Sequence, residues 1–236
     1  ADRVSIAGGT ANNAVAPNNN FEVLDSATGL FATYPAAIIP GPPYGSLGSY
    51  ARNFLLSTGR LFRSGSSQWT ARLDLSTNAW TPLPQSSSYR TYGTAFLDPL
   101  VPDRAVILGG HANNQTALSS MQYCDGSAAA GVCSWISGQP MAFARGRLNA
   151  VLLPDASVFV VGGRSNAANA PVPAYVNTPE ILAGGAWVPQ PEHVSPRDYH
   201  SSAALLPDGR VLVAGLVREF ASATRLVETA NSGTHE

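Results

Sequence analysis

Two adjacent residues, Tyr199 and His200, have the side chains most able to do chemistry in this sequence. They lie in the segment SPRDYHSSAALLPDGRVLVAGL (195–216), at the start of a predicted strand. A phenol and an imidazole can bind a metal or transfer a proton, and a histidine here can equally hydrogen-bond to a neighbouring structural element. The sequence around the pair is needed to weigh these two roles.

The pair belongs to a repeated phrase that consists of a strand, a turn, a second apolar strand and small residues. The phrase ends in glycines that recur every 45 to 56 residues. Its copies are NFLLSTGRLFRSG (53–65), GTAFLDPLVPDRAVILGG (93–110), LNAVLLPDASVFVVGG (148–163) and HSSAALLPDGRVLVAG (200–215), with a partial copy ADRVSIAGG (1–9). Turn residues between short apolar runs predict β-hairpins.

A second hairpin follows most copies, and it ends in an aromatic residue that we expect to pack between neighbouring repeats. These aromatic residues are Phe31, Trp80, Trp135 and Trp187. Two hairpins per period give a four-stranded antiparallel sheet, which is typical of a kelch-type propeller blade. The prediction is an all-β fold of about four and a half such blades, forming part of a seven-bladed propeller. We expect one partial propeller domain over 1–236, with blades at 1–38, 50–88, 90–141, 145–192 and 197–232.

The charge and hydropathy patterns exclude several functional classes. The net charge is −1, so the sequence gives no electrostatic indication of a nucleic-acid or anionic membrane partner. No apolar run is long enough to span a membrane. Because the chain begins at Ala1 without a methionine or a signal segment, we expect it to be a processed or partial chain.

Two cysteines, Cys124 and Cys133, flank a loop of small residues. This spacing suits a disulfide at the end of a hairpin, and the alternatives are two free thiols or half of a metal site. A disulfide favours an oxidising, extracellular location in a cell wall or matrix. Asn114 begins the sequon Asn-Gln-Thr, which makes it a candidate glycosylation site.

Only one blade carries the Tyr-His pair. When the repeats are aligned on Gly163 and Gly215, His200 corresponds to Leu148 and Tyr199 to Arg147. The repeat itself therefore does not require a tyrosine and a histidine at these positions.

The phrase PRDYHSSAALLPDGRVLVAG closely resembles the copper-ligand blade of the galactose oxidase and glyoxal oxidase family, the copper radical oxidases. The preceding stretch, MAFARGRLNAVLLPDASVFVVGGRSNAANAPVPAYVNTPEI, also resembles that family. The resemblance is specific over about residues 140–215 and extends more loosely, as a propeller pattern, through nearly the whole chain.

The resemblance implies copper as cofactor, with Tyr199 as axial ligand and His200 as equatorial ligand. Such a donor pair matches the N/O preference of Cu(II). Tyr199 would also act as the catalytic base that takes the proton of the substrate hydroxyl. Gln115, five residues after Gly110, matches a glutamine near the substrate pocket of galactose oxidase; the alternative is an exposed loop residue. His111 is expected either to reach the same face or to be a packing residue.

The family's remaining site residues have no match in the sequence. Its cross-linked tyrosine and cysteine would precede Ala1, and its second copper histidine would follow Glu236. His235 is a poor substitute, and neither Cys124 nor Cys133 matches the cross-linking cysteine. We therefore expect the chain alone to be inactive.

Two functional hypotheses remain. The first is the propeller part of a secreted copper radical oxidase that converts simple aldehydes, primary alcohols or carbohydrates and produces H₂O₂. The second is a non-catalytic propeller that serves as an extracellular structural, assembly or binding module. In either case the remaining propeller blades or other chains of an extracellular assembly are the expected partners.

Overall fold

The structure, a computed structural model, describes residues 3–7, 20–35, 50, 52–77, 79–128, 133–215 and 228–230. All regular secondary structure in these residues is β-strand. The strands are β1 (Arg3–Ala7), β2 (Asn20–Asp25), β3 (Leu30–Pro35), β4 (Arg52–Leu55), β5 (Arg60–Ser64), β6 (Thr70–Asp74), β7 (Ala79–Leu83), β8 (Thr94–Leu97), β9 (Arg104–Leu108), β10 (His111–Ala112), β11 (Thr116–Ala117), β12 (Met121–Asp125), β13 (Ile136–Ser137), β14 (Asn149–Leu152), β15 (Val158–Val161), β16 (Glu180–Ala183), β17 (Ala186–Pro189), β18 (Ser202–Leu205), β19 (Val211–Ala214) and β20 (Glu228–Ala230). Within these ranges there is no helix long and apolar enough to cross a bilayer.

The strands form small sheets in which neighbours along the chain pair antiparallel. Three sheets have four strands, β4 to β7, β14 to β17, and β8-β9-β12-β13, the last of which carries the separate hairpin β10-β11 between its second and third strands. Two sheets have three described strands, β1 to β3 and β18 to β20. The all-β prediction and the four-stranded blades are confirmed. The single domain over 1–236 and its blade limits remain a prediction.

The described chain divides into two compact units. Unit 1 comprises Ala1–Ser87, Pro102–Ala105 and Cys124–Trp135, and unit 2 comprises Ser88–Val101, Val106–Tyr123 and Ile136–Glu236. The core of unit 1 contains Val23, Leu61, Ala71 and Leu73. Unit 2 has two core clusters, one of Phe96, Val106, Leu108, Met121, Met141, Leu148, Val158 and Val160, and one of Val151, Phe159, Val161, Val211 and Val213. The glycine Gly9 and the histidine His235 lie outside the described residues.

In unit 1 the two cysteines are joined. Cys124 and Cys133 form a disulfide with their Cα atoms 5.6 Å apart, so the disulfide prediction is confirmed and the free-thiol and metal-site alternatives are wrong. Arg72 secures the loop that the disulfide closes, because its Nη1 donates hydrogen bonds to the carbonyl oxygens of Gly126 (3.0 Å) and Ala128 (2.6 Å).

Two of the aromatic residues expected between repeats make the expected contacts. Trp187 donates from Nε1 to the carbonyl of Gln139 in the preceding blade (3.0 Å), and Trp135 donates to the carbonyl of Pro84 (3.1 Å). The expectation is wrong for Phe31, which is 52% exposed. Phe31 lies in β3, the last strand of its sheet along the chain, and its ring is exposed to solvent there.

An arginine at the start of each blade in unit 2 fixes the backbone near the closing glycine. The Nη1 groups of Arg90, Arg145 and Arg197 donate to the carbonyls of Gly109 (3.0 Å), Gly162 (3.3 Å) and Gly215 (3.3 Å), respectively. These glycines are needed because a Cβ on Gly162 would lie 2.7 Å from the carbonyl oxygen of Arg197. The same arginines lead directly into the residues of the candidate site.

Candidate functional site

The residue two positions before the first strand has the same unusual backbone in four blades. It has positive φ angles of 62°, 57°, 62° and 65° at Tyr50, Tyr92, Arg147 and His200. A residue with a side chain rarely adopts this left-handed conformation, which costs about 1–3 kcal/mol, and such strain is concentrated at functional sites. We refer to this position as the blade-entry position.

The blade-entry position corrects the sequence alignment. Strand register equates Ser202 with Asn149, since Ser202 pairs with Ala214 and Asn149 with Val161. His200 therefore corresponds to Arg147 and not to Leu148. The error came from matching Gly215 with the second glycine of the pair Gly162-Gly163, whereas the structure matches it with the first.

The His200 blade has one additional residue at its entry. Arg145 and Arg147 are separated by one residue, whereas two residues lie between Arg197 and His200. The Tyr199 and His200 rings are stacked, with centroids 3.8 Å apart and planes inclined by 29°. Tyr199 is partly buried and His200 is exposed, so the imidazole is open to solvent.

Arg147 contacts two tyrosine rings. Its Cζ atom is 4.7 Å from the centroid of Tyr199 and 4.9 Å from that of Tyr92. The two tyrosine rings meet edge to face with centroids 5.5 Å apart. The backbone supports this arrangement, because the Arg147 N–H donates to the carbonyl of Tyr92 at 2.6 Å. Two successive blade-entry residues and Tyr199 thus form one contiguous cluster of rings and a guanidinium.

A buried carboxylate anchors the cluster. Asp198 precedes Tyr199, and its Oδ2 accepts hydrogen bonds from Arg164, through Nε at 2.9 Å and also through Nη2. The same oxygen accepts a longer hydrogen bond from Arg147 Nη1 at 3.4 Å. Both arginines also donate to the carbonyl of Ala168, at 2.7 Å from Arg147 and 3.3 Å from Arg164. The backbone before the Tyr-His pair is therefore held by charged hydrogen bonds.

His111 packs beside this cluster and is fully buried. Its ring lies 6.3 Å from that of Tyr92, and its Nε2 is 2.9 Å from the carbonyl of Asn166, so Nε2 carries the proton. Desolvation lowers the pKa of His111 below its ordinary value; the Asn166 carbonyl opposes this shift, and the charges of Arg147 and Arg164 add to it. A Cβ on Gly146 would lie 2.1 Å from Nδ1. Of the two expectations for His111, the packing role agrees with these contacts.

Gln115 and Asn114 lie on the tip of the β10-β11 hairpin. Asn113 and Asn114 have φ angles of 49° and 62°, and the Gln115 N–H donates to the carbonyl of Ala112 at 3.0 Å, which together define a tight hairpin turn. Both Asn114 and Gln115 are exposed. The glycosylation of Asn114 and the substrate contact of Gln115 remain predictions.

The donors around Tyr199 match copper in type but are too few to form a complete site. Tyr199 and His200 offer one oxygen and one nitrogen, the donor types that Cu(II) accepts. In the described part of the chain, no three His, Cys, Asp or Glu side chains are grouped as a metal site would require. The Nε2 of His111 is already bound to a carbonyl. The described residues therefore provide at most part of a copper site.

The overall fold is similar to that of known structures. No protein-family model and no curated protein match the chain. A fungal alcohol oxidase of the AA5 family, solved in complex with copper, matches with a TM-score of 0.74 and 20% identity over 90% of this chain and 46% of its own. The structure of YjhT matches with a TM-score of 0.69 and 13% identity over 97% of this chain and 81% of its own. The chain thus spans less than half the length of the oxidase, and these likenesses establish a β-propeller fold.

Sequence reasoning missed three members of the cluster, which are Tyr92, Arg147 and Asp198. A signal was present, because an arginine begins each of RTY (90–92), RGR (145–147) and RDYH (197–200). Alignment on those arginines, instead of on the closing glycines, would have placed Tyr92, Arg147 and Tyr199 at the same point of successive blades. The pairing of Asp198 with Arg164 had no sequence signal, because it depends on the path of a long loop.

Proposed function

We propose that this chain is the propeller part of a secreted copper-dependent oxidase that converts primary alcohols or aldehydes. The observation that carries the proposal is the stacked Tyr199–His200 pair, which presents an oxygen and a nitrogen donor at an exposed blade entry. The fold of an AA5 alcohol oxidase that binds copper supports it. In this reaction an alcohol and O₂ give an aldehyde and H₂O₂, so two electrons and two protons pass from the substrate to oxygen.

In the proposed site the residues of this chain have separate roles. Tyr199 and His200 would hold copper, which supplies one-electron chemistry when bound. The Tyr199 phenol oxygen would take the proton of the substrate hydroxyl. Asp198 and Arg164 hold the backbone that carries both ligands, while Arg147 and Tyr92 fix the position of the Tyr199 ring. The remaining ligands and the second redox group would come from outside the described residues.

A non-catalytic extracellular propeller is the second candidate. Among the described residues no three His, Cys, Asp or Glu side chains are grouped, and the guanidinium of Arg147 covers one face of the Tyr199 ring. A structural module would retain the ion pairs and stacking of this cluster without binding copper. The disulfide is compatible with secretion in both cases.

Copper titration distinguishes the two candidates. Isothermal titration and electron paramagnetic resonance of the metal-free chain with Cu(II) should reveal a site that His200→Gln weakens at least about tenfold, because one of its few ligands is lost. His193→Gln and His235→Gln are the matched controls and should leave the affinity unchanged. Equal Cu(II) binding by wild type and His200→Gln would refute the copper site and favour the structural module.

A further inference from the structure

The cluster beside Tyr199 carries an unbalanced positive charge. It contains two guanidiniums, Arg147 and Arg164, and a single carboxylate, Asp198. Arg164 approaches Asp198 through two nitrogens, whereas Arg147 reaches the same oxygen only through Nη1 at 3.4 Å. Arg164 and Asp198 therefore form the close pair, and Arg147 is the cation in excess. Its side chain is only 11% exposed, so little of this charge is compensated by water.

Arg147 also has hydrogen-bond donors to spare. A guanidinium has five N–H groups. Arg147 uses one on Asp198 and one on the carbonyl of Ala168, and its Nε is buried without an acceptor. Three of its N–H groups thus have no acceptor among the residues that the structure describes. A buried cation with unused donors is most simply satisfied by an oxygen anion.

The two tyrosines restrict how such an anion can bind. The rings of Tyr92 and Tyr199 lie 4.9 and 4.7 Å from Arg147 Cζ, and because their centroids are only 5.5 Å apart, both rings lie towards the same side of Cζ. A ligand can therefore approach the plane of the guanidinium only from the side that neither ring covers. A carboxylate binds a guanidinium in this plane, because its two oxygens match two parallel N–H groups.

We propose that Arg147 recognises the carboxylate of a small ligand next to Tyr199. The ligand class is a carboxylate that carries a primary alcohol or an aldehyde, with the carboxylate at Arg147 and the reactive carbon towards Tyr199. Calling this ligand the substrate rests on the proposed function, whereas its binding does not require copper. An uncharged alcohol of the same size has no group that compensates Arg147.

Nuclear magnetic resonance of the arginine side chains tests the proposal on the whole, metal-free chain. All 14 basic residues are arginine. Labelling with ¹⁵N-arginine gives Nε–H signals from these residues, and the Arg147 signal is assigned as the one missing in Arg147→Lys. Glycolate should shift this signal in a saturable manner, and ethylene glycol, its neutral counterpart, should not. Raising the ionic strength should weaken glycolate binding, because the interaction is between opposite charges.

Variants distinguish recognition of the carboxylate by Arg147 from a general effect of the protein's positive charge. Arg147→Gln should weaken glycolate binding by about tenfold or more, since it removes the cation and two of the donors. Arg147→Lys keeps the charge but loses the planar fork, and should show an intermediate affinity. Arg210→Gln removes an equal charge from an exposed hairpin, where Arg210 pairs with Asp208, and should bind glycolate as wild type does.

Several results would overturn the proposal. These are equal binding of glycolate and ethylene glycol, no effect of salt, or a glycolate shift that is absent at Arg147. If Arg147→Gln does not fold, then Arg147→Lys and the salt dependence of the wild type decide the outcome. Copper titration of the same sample separates the two proposals: glycolate binding without a Cu(II) site would refute only the oxidase, and a Cu(II) site without glycolate binding would refute only the carboxylate site.

Discussion

Replacing Glu180 should destabilise the blade that leads into the candidate site. Glu180 is fully buried, and its carboxylate accepts three hydrogen bonds from the segment before Arg147. The donors are the backbone N–H of Ala142 (2.6 Å), the backbone N–H of Phe143 (3.2 Å) and Arg145 Nη2 (2.7 Å). Arg145 and Glu180 both have 0% side-chain exposure, so neither charge has access to water. Burial lowers the pKa of Arg145, and the charge of Glu180 raises it in compensation.

The expected loss follows from removing one partner of a buried ion pair. Glu180→Ala leaves the Arg145 cation uncompensated, which costs about 3–5 kcal/mol. For a chain of this size that corresponds to a fall of roughly 6–20 °C in the thermal midpoint. Glu180→Gln should lose about half as much, because its amide oxygen can still accept. The preceding blade already has this arrangement, with Gln122 Oε1 3.4 Å from Arg90 Nη2.

Thermal unfolding followed by circular dichroism, together with urea titration, measures these losses. The double variant Arg145→Leu/Glu180→Leu is the informative companion, because it removes both charges and should be more stable than Glu180→Ala. A loss below about 1 kcal/mol for Glu180→Ala would refute the reasoning, given that a buried pair was broken. An equal loss for Glu180→Gln and Glu180→Ala would show that the negative charge accounts for the whole effect and that a neutral acceptor contributes nothing.

Two further predictions concern stability. Burial lowers the pKa of His111 below 6.5, so the unfolded chain binds a proton more readily than the folded chain. The contribution of His111 to stability should therefore fall as the pH drops below 6.5 and stay level above it. His111→Gln should flatten this dependence in urea titrations at several pH values. Reducing the Cys124–Cys133 disulfide, which closes a loop with a sequence separation of 9, should cost about 2–3 kcal/mol in the same titration, and Cys124→Ser/Cys133→Ser should lose a similar amount. No change on reduction would show that Arg72 alone holds the loop.

The fold could be predicted from the sequence because it depends on local patterns. Alternating apolar residues and turn signals such as Pro207-Asp208-Gly209 specify each hairpin, and there the Gly209 N–H donates to the carbonyl of Leu206 at 3.0 Å. The disulfide was predictable for the same reason, since its loop is short. These features require no knowledge of how distant segments meet.

The candidate site was only partly predictable because its members come from separate blades. The adjacency of Tyr199 and His200 is visible in the sequence, but the contact of Arg147 with both Tyr92 and Tyr199 depends on how three blade entries meet. A pair of adjacent glycines was enough to shift the alignment by one position. The Asp198–Arg164 pair depends on tertiary packing, which the repeat pattern does not describe.

The most direct test of the central claim is the location of copper in a crystal of this chain grown or soaked with Cu(II). Anomalous diffraction at the copper absorption edge identifies the ion without assumptions about its ligands. The proposed function predicts a peak within bonding distance of the Tyr199 phenol oxygen and an imidazole nitrogen of His200, and no peak there in His200→Gln. A peak only at other histidines, or none under conditions in which the protein remains folded, would contradict the assignment of Tyr199 and His200 as copper ligands.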